Sequence, residues 1–504
     1  MVGGAVTVLA FPDVGFWPAA PVGIALLVLA LDGDSARWNA LLGWLYGLAF
    51  FLPTLWWARE AVGRLPWFAL SVAEAAYIAL VAVAWTWARR SPFLPARLAP
   101  GGLVVLWLAG EELRSTWPFG GFPWGRLAFS QSDSPLLALA WLGGAPLVSA
   151  VVVVLGWLLA RAFLALRDRR TRAALVSVAV AAGLTASGLL VPLSTGAETG
   201  TVRVGIVQGN VPERGLEAFG RPWQVLDNHV RGTEALLEQV EPGELDLVVW
   251  PENAADIDPQ ADSRAAVLVD GAAAAIGAPI LLGTVRYPNA DDRYNTSVLW
   301  VPGVGVVAHY TKQHPAPFAE YVPARDLVRP FSAAVDLIPV DMRAGTEPGL
   351  VIWESTRLER EVGLGVVICF EVAYDALVRS AVTSGGEVIL VQTNNASFGY
   401  TAESTQQLAM TRLRAVEHGR ATVQISTVGV SAFVAPDGTV SERTELFTAD
   451  QRVATLPLRD SLTPATRLGR WPALVASALA VALVVAGAVA TIRRRSRPEA
   501  GSLE

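Results

Sequence analysis

GVVICFEVAY, residues 365 to 374, holds the one cysteine of the chain, Cys369, at the end of an apolar run, with an acid, Glu371, two positions later. The run Val362–Ile368 is rich in β-branched residues and has no polar position, so it reads as a strand buried on both faces. A helical pattern follows over Ala373–Thr383, then an apolar strand over Val388–Gln392, a helix over Thr405–His418 and strands over Thr422–Ser426 and Ser431–Val434 before the turn at Pro436-Asp437-Gly438. The same alternation precedes it: strand Val202–Val207, helix Trp223–Gln239, strand Leu245–Trp250, helix Ala265–Ile276, strand Ile280–Gly283, and a hairpin of Ser297–Val301 with Val306–His309 around Pro302-Gly303. Strands that alternate with helices make an α/β domain with a substantially parallel interior. A single thiol after such a strand is most often a small core residue, so any chemistry for Cys369 has to be argued from its partners.

The remainder of the chain has another character. Of 504 residues 53% are hydrophobic and 17% charged, with a mean hydropathy of +0.42, too apolar for one soluble globule. Residues 1–193 read as a transmembrane bundle, since a spanning helix needs about 20 apolar residues. The candidates are Phe16–Leu31, Trp38–Trp57, Trp67–Trp87, Gly101–Glu111 with its flanks, Leu136–Leu158 and Ala173–Leu193. With the short first stretch Val2–Phe11 they make about seven spans. Residues 194–470 form the α/β domain, 471–492 a further span, and 493–504 a tail that begins with three arginines. The loops Arg89–Arg97 and Arg167–Arg172 and the arginine-rich tail fall on one side of the bundle, so the positive-inside rule puts the tail in the cytoplasm and residues 194–470 outside it.

Composition also excludes. A net charge of −6 offers no basic stripe for nucleic acid. One cysteine allows neither an internal disulfide nor a CxxC site, and the four histidines contain no HxxxH pair, so no metal or cofactor is expected. Among 39 lysines plus arginines there is one lysine, Lys312. A drift toward arginine converts lysines that only supply charge. A lysine that survives it points to a site needing a compact ammonium, for which a guanidinium fork is no substitute.

In open α/β sheets functional groups collect beyond the carboxyl ends of the strands. Glu252 lies there in LVVWPENAA, Lys312 in AHYTKQHPAPFAEYVP, and Cys369 in the opening stretch. Together they suit acyl transfer. The sulfur of Cys369 is the nucleophile, the Glu252 carboxylate takes its proton, and Lys312 stabilises thiolate and oxyanion, with the backbone N–H of Phe370 as a second oxyanion donor.

The middle region resembles the carbon–nitrogen hydrolase (nitrilase) superfamily, whose Glu-Lys-Cys triad has this order in an α-β-β-α sandwich. The whole chain resembles the bacterial apolipoprotein N-acyltransferase family in VGIVQGNVP from Val204, WPEN at Trp250–Asn253, YNTSV at Tyr294–Val298, KQHPAPFAEYVPAR at Lys312–Arg325, ICFE at Ile368–Glu371 and FGGFPWGRLAFSQ at Phe119–Gln131. The resemblance implies catalytic roles for Glu252, Lys312 and Cys369, and supporting roles for Glu320 and Glu371. The position after the nucleophile, often tyrosine in the family, is Phe370 here.

The implied reaction moves a fatty acyl chain from a membrane phospholipid, through a Cys369 thioester, to the N-terminal amine of a diacylglyceryl-cysteine apolipoprotein, in a bacterial plasma membrane and by a monomer. Segment Pro315–Pro330 is expected to form a mobile arm over the site. Two alternatives remain at this point. One is a membrane-tethered amidase or nitrilase acting on a small amide; the other is a non-enzymatic scaffold for a polyprenol-phosphate glycosyltransferase.

Overall fold

The computed structural model describes residues 1–211, 221–329, 335, 336 and 338–495, and its chain divides into two compact units. The first comprises Met1–Trp56, Leu65–Val191 and the chain from Arg470; the second comprises Trp57–Arg64 and Pro192–Gly469.

Helices Arg64–Ala88, Pro135–Arg167, Thr171–Leu190 and Trp471–Arg494 are long and apolar enough to cross a membrane, and Ala36–Thr54 with Trp56–Val62 passes as a bent pair. The seven spans expected before residue 193 are thus not all of membrane length. Val2–Val8 has 7 residues, Ala19–Ala30 has 12 and Ala99–Arg114 has 16. The FGGFPWGRLAFSQ stretch forms turns ending in the 3₁₀ helix Leu127–Gln131. Buried charges hold it in place. Arg114 pairs with Glu74 at 2.9 Å and donates to the carbonyls of Phe122 and Trp124. Glu111 accepts from Trp107 Nε1 and from the backbone N–H of Leu127, each at 3.0 Å. Inside an apolar bundle such groups are tolerable only when paired.

Among its described residues the second unit has twelve strands: β1 (Gly200–Gln208), β2 (Leu247–Val249), β3 (Ile280–Arg286), β4 (Tyr294–Val301), β5 (Gly305–Thr311), β6 (Leu350–Ser355), β7 (Arg360–Ile368), β8 (Val388–Thr393), β9 (Thr422–Ser426), β10 (Ala432–Val434), β11 (Val440–Ser441) and β12 (Asp450–Leu458). They form two six-stranded sheets, ordered β12-β1-β2-β3-β4-β5 and β11-β10-β9-β8-β7-β6. In each, three parallel strands at the centre (β1, β2, β3 and β7, β8, β9) are flanked by antiparallel ones. The sheets are therefore mixed, and the parallel interior expected from the alternation is confined to these two triplets.

Packing explains the layers. One cluster draws Val204, Ile206, Leu247, Val249 and Leu281 from the first sheet and Leu364, Val366, Ile368, Leu390 and Val423 from the second, so it lies between them. A second cluster packs the other side of the first sheet (Val248, Ile280, Leu282) against Leu226 and Leu236 of helix Pro222–Leu236 and Val269 and Ala273 of helix Ser263–Ile276. Helices Asp375–Thr383 and Glu403–His418 contact the second sheet. The order is helix, sheet, sheet, helix. Central strands buried on both faces are what continuous apolar runs such as Val362–Ile368 demand. Helix Ser263–Ile276 shows how local chemistry sets the ends: Asp262 accepts from the N–H groups of Arg264 and Ala265, and Gly277, at φ +70°, closes it.

Candidate active site

Three strand exits meet at one end of the sandwich. Glu252 follows β2, Lys312 follows β5 and Cys369 follows β7. The loop carrying Glu252 lies directly on β3, and Gly283 makes that possible: a Cβ there would come within 2.6 Å of the Glu252 Cα and the Pro251 carbonyl oxygen. Lys312 stays tied to the sheet through its N–H, which donates to Asn295 O at 2.9 Å.

Glu252 and Lys312 are in contact, both buried, with Lys312 Nζ 3.2 Å from Glu252 Oε1. The same ammonium donates to Glu320 Oε1 at 2.9 Å. Asn295 Nδ2 completes the cluster, donating to Glu252 Oε1 at 2.6 Å and to Glu320 Oε1 at 3.1 Å. The remaining oxygens are held by backbone, Glu252 Oε2 by Asn394 N at 2.9 Å and Glu320 Oε2 by Ala316 N at 2.6 Å. Burial disfavours the charged form of Lys312, but the two carboxylates outweigh it and hold the ammonium's pKa well above its usual value. Glu320 answers in kind: burial pushes its carboxyl up, and Lys312, Ala316 N–H and Asn295 bring the balance below the ordinary value. Lys312 is thus a permanent cation with two carboxylates, locked in one place.

Glu320 reaches Lys312 by a tight turn. Phe318 N–H donates to Tyr321 O at 2.7 Å with Phe318 at φ +64°, and Glu320 N–H returns to Ala316 O at 2.9 Å. Of the expected arm the structure shows this turn and the short helix Arg325–Val328, and its last residue, Pro330, lies outside the described residues.

Cys369 begins the one-turn helix Cys369–Ala373 with φ +55°. A non-glycine residue there costs roughly 1–3 kcal/mol and persists only where its surroundings impose it. Glu371 imposes it. Its carboxylate accepts Ile368 N–H at 2.9 Å, Gln313 N–H at 2.8 Å, His314 N–H at 3.1 Å and the Tyr310 hydroxyl at 2.9 and 3.0 Å. Burial raises the Glu371 pKa, against these donors and Lys312, which favour the charge. Glu371 therefore joins the end of β7 to the chain leaving β5, and so joins the cysteine's strand exit to the lysine's.

The sulfur is buried, with the Thr393 hydroxyl 3.3 Å away. Burial, with Glu252 adding to it, pushes the thiol's pKa well above its ordinary value, while Lys312 pulls the other way. The resting group is a thiol, with a carboxylate and an ammonium close enough to act on it. Phe370 packs against the inter-sheet core. Its ring lies 5.8 Å from that of Phe398, and Trp57 meets both, at 5.6 and 5.3 Å. The residue after the cysteine thus forms part of an aromatic wall.

The sequence carries corresponding signatures. A family model described as carbon-nitrogen hydrolase matches residues 203–461, and one described as the apolipoprotein N-acyltransferase N-terminal domain matches residues 3–158. An apolipoprotein N-acyltransferase of Mycolicibacterium smegmatis is 38% identical over 95% of this chain and 82% of its own length. The chain belongs to the apolipoprotein N-acyltransferase family. Members from Azotobacter vinelandii and Photobacterium profundum are 30% and 28% identical, over 93% and 98% of this chain and 90% and 94% of theirs. It is accordingly a membrane acyltransferase of lipoprotein biosynthesis. A solved amidase from Nesterenkonia sp. is also similar, at 18% identity and a TM-score of 0.39, covering 55% of this chain and 94% of its own. That likeness is too slight to favour the small-amide alternative.

Sequence reasoning passed over several residues that the structure brings into this buried cluster. Asn295 sits in the family stretch YNTSV, but as an amide among carboxylates it carries no signal of its own. Tyr310 precedes the lysine by two positions, hidden in a strand. Thr393 ends β8 and Asn394 follows it, at a strand exit that carries no acid, lysine or thiol to mark it.

Proposed function

We propose that Cys369 is the nucleophile, Glu252 the base and Lys312 the charge stabiliser of a two-step transfer. Sγ attacks the carbonyl carbon of a phospholipid acyl ester as Glu252 takes the thiol proton. The ester C–O bond breaks, the proton passes to the departing alkoxide, and lysophospholipid leaves a thioester. The amine of the diacylated apolipoprotein then attacks the thioester carbonyl and loses a proton to Glu252. The C–S bond breaks, and that proton restores the thiol. Lys312 and the Phe370 N–H stabilise both tetrahedral oxyanions. Glu320 and Glu371 hold Lys312 and Cys369 in register.

The observation that carries this reading is the buried Glu252–Lys312 pair acting on a thiol at a left-handed strand exit. A thiol that burial keeps protonated needs a base at the moment of attack, and the neighbouring carboxylate is that base. The rings of Trp57, Phe370 and Phe398 support an acyl rather than a small polar substrate. A substrate with several acyl chains cannot leave the bilayer cheaply, at about 0.8 kcal/mol per buried CH₂. The reading therefore includes a multi-pass bundle, an extracytoplasmic catalytic domain and a monomer that works at the membrane surface.

The test is to express the chain in cells that lack N-acylation and to weigh a lipoprotein's N-terminal peptide. One added acyl chain is expected with the unaltered enzyme and none with Cys369→Ala; a gain that survives Cys369→Ala refutes the nucleophile assignment. Labelled phospholipid should leave a thioester on the enzyme, cleaved by neutral hydroxylamine, when no acceptor is supplied.

A further inference from the structure

Behind the sulfur lies a buried polar cluster that the two-step transfer does not use. Thr393 is 3.3 Å from Sγ through its hydroxyl. The same oxygen lies 3.0 Å from Gln407 Oε1 and 3.3 Å from Asn395 Nδ2. Asn395 Nδ2 also donates to Gln407 Oε1 at 3.0 Å and to Glu403 Oε2 at 2.6 Å. Thr393, Gln407 and Glu403 have no exposed surface and Asn395 has almost none. Among the described residues Glu403 Oε1 and Gln407 Nε2 have no hydrogen-bond partner. Burying a carboxyl this way is costly, and native structures do so rarely without cause.

The cluster is built for. Asn395 is fixed in orientation because its Oδ1 accepts the Ser426 hydroxyl at 2.5 Å, and Ser426 is in turn held by Gly429 N–H at 2.8 Å. Only glycine fits at 429: a Cβ would stand 2.1 Å from Asn395 Oδ1 and 2.5 Å from Ser404 Oγ. The amide of Asn395 therefore has to face Glu403.

Counting protons exposes two arrangements. The Thr393 hydroxyl has one proton for two acceptors, the sulfur and Gln407 Oε1. The Asn395 amide has two, one committed to Glu403 at the shortest distance. When the second goes to Gln407, the threonine proton is free for the sulfur. When it goes to Thr393 Oγ1, the threonine proton turns to Gln407. The first arrangement suits a thiolate and the second a thiol or thioester.

We infer that Thr393, Asn395 and Glu403 form a positioning relay for the nucleophile, in which the Thr393 hydroxyl bonds the nascent thiolate and Glu403, through Asn395, sets that donor while remaining uncharged. This rests on Cys369 being the nucleophile. The charge balance supports it. Burial, with Glu252 adding to it and Asn395 opposing, pushes the Glu403 carboxyl to about 8. An ionised Glu403 would in turn raise the thiol's pKa.

The charged groups acting here come from few directions. Glu252 acts on both Glu403 and Cys369, and Lys312 acts on the sulfur. On the helix of Glu403, Arg412 donates to Gly438 O and Arg414 to Val372 O, Ala373 O, Asp375 and Glu417. On the elements packed against it, Glu371 is bonded as described, Arg379 donates to Thr466 O, Arg467 lies on helix Pro464–Leu468, and β9 and β10 carry no charge.

The single cysteine makes the test direct, because alkylation of the full-length enzyme in detergent by iodoacetamide reports Cys369 alone. Rates are measured from pH 6 to 10, apart from any transfer assay, so a failed transferase reading and a failed relay are told apart. With Glu403→Gln, which keeps an acceptor for Asn395 but cannot ionise, alkylation at pH 9 should be about threefold or more faster than in the unaltered enzyme. Thr393→Val should slow it by a similar factor at every pH, and Thr393→Ser should restore it. Should Glu403→Gln not fold, the Thr393 pair decides alone. Superimposed profiles for the unaltered enzyme and either Glu403→Gln or Thr393→Val overturn the relay.

Discussion

At the scale of one residue, Lys312 shows how context turns a composition anomaly into chemistry. Its Nζ has carboxylate oxygens at 2.9 and 3.2 Å and almost no exposed surface. An arginine would place a planar fork where those distances admit only a compact ammonium. Lys312→Arg should therefore fold and retain under about one per cent of the transfer activity, since both positioning and oxyanion stabilisation fail. Full activity, read by lipoprotein peptide mass, would contradict the geometry. Lys312→Met removes the charge instead and leaves Glu252 and Glu320 buried together, at a cost of about 3–5 kcal/mol. Adding Glu320→Gln should return most of that stability and none of the activity. The lysine was legible because it is unique in the sequence. Asn295, which touches both carboxylates, was not, because an asparagine in a strand advertises nothing until its neighbours are known.

At the scale of elements, Glu371 is the joint between β7 and the chain leaving β5. Glu371→Gln leaves one carbonyl acceptor for four donors and turns an NH₂ toward them. Hydrogen bonds to a charged group are worth about 1.5–3 kcal/mol each, and unsatisfied donors add to the loss. The expected result is a fall of several degrees in melting temperature together with a lower kcat, because both strand exits shift. Tyr310→Phe deletes one donor only, so it should cost about 1 kcal/mol and leave most of the activity; a larger loss than Glu371→Gln would invert the proposed hierarchy. The strands that carry the site were readable because burial on both faces writes an unbroken apolar run, as in Val362–Ile368. Three edge strands were not, and of these β11, with two residues, is too short to leave a pattern. In β12 only Leu456 and Leu458 are buried, and Pro457 interrupts the pattern, which is tolerable at an edge and misleading in a sequence. In β6, Ile352 faces solvent between buried Val351 and Trp353, so its alternation reads as uniform apolarity. The parallel interior was legible in the central triplets, where the apolar runs are unbroken, and the β4–β5 hairpin in its Pro302-Gly303 turn, whereas the other antiparallel flanking strands left no such mark.

At the scale of the whole molecule, the buried titratable groups set how stability depends on pH. Two buried histidines are held neutral by desolvation: His229 falls to about 4, and His418, with Arg414 and Arg420 beside it, lies well below the usual value. A depressed histidine removes stability as pH falls from the unfolded pKa of about 6.5 toward its folded one. The buried acids act oppositely. Glu403 rises to about 8, and Asp256, by burial and by Glu252, to about 7. An acid with a raised folded pKa binds its proton in the folded state and not in the unfolded one, so stability falls as pH rises from about 4.5 to the folded value. Below pH 6.5 the two sets oppose each other. Between about 6.5 and 8 only the acids act, and Glu403 alone contributes a slope of at most about −1.4 kcal/mol per pH unit. The melting temperature of the detergent-solubilised enzyme should therefore decline from pH 6.5 to pH 8, and Glu403→Gln should flatten that decline while leaving Lys312 and Glu252 untouched. The difference between the two proteins isolates one carboxyl from every other titrating group. If both lose stability equally across that window, Glu403 is ionised in the folded enzyme, and the donor to the nucleophile is set by something else.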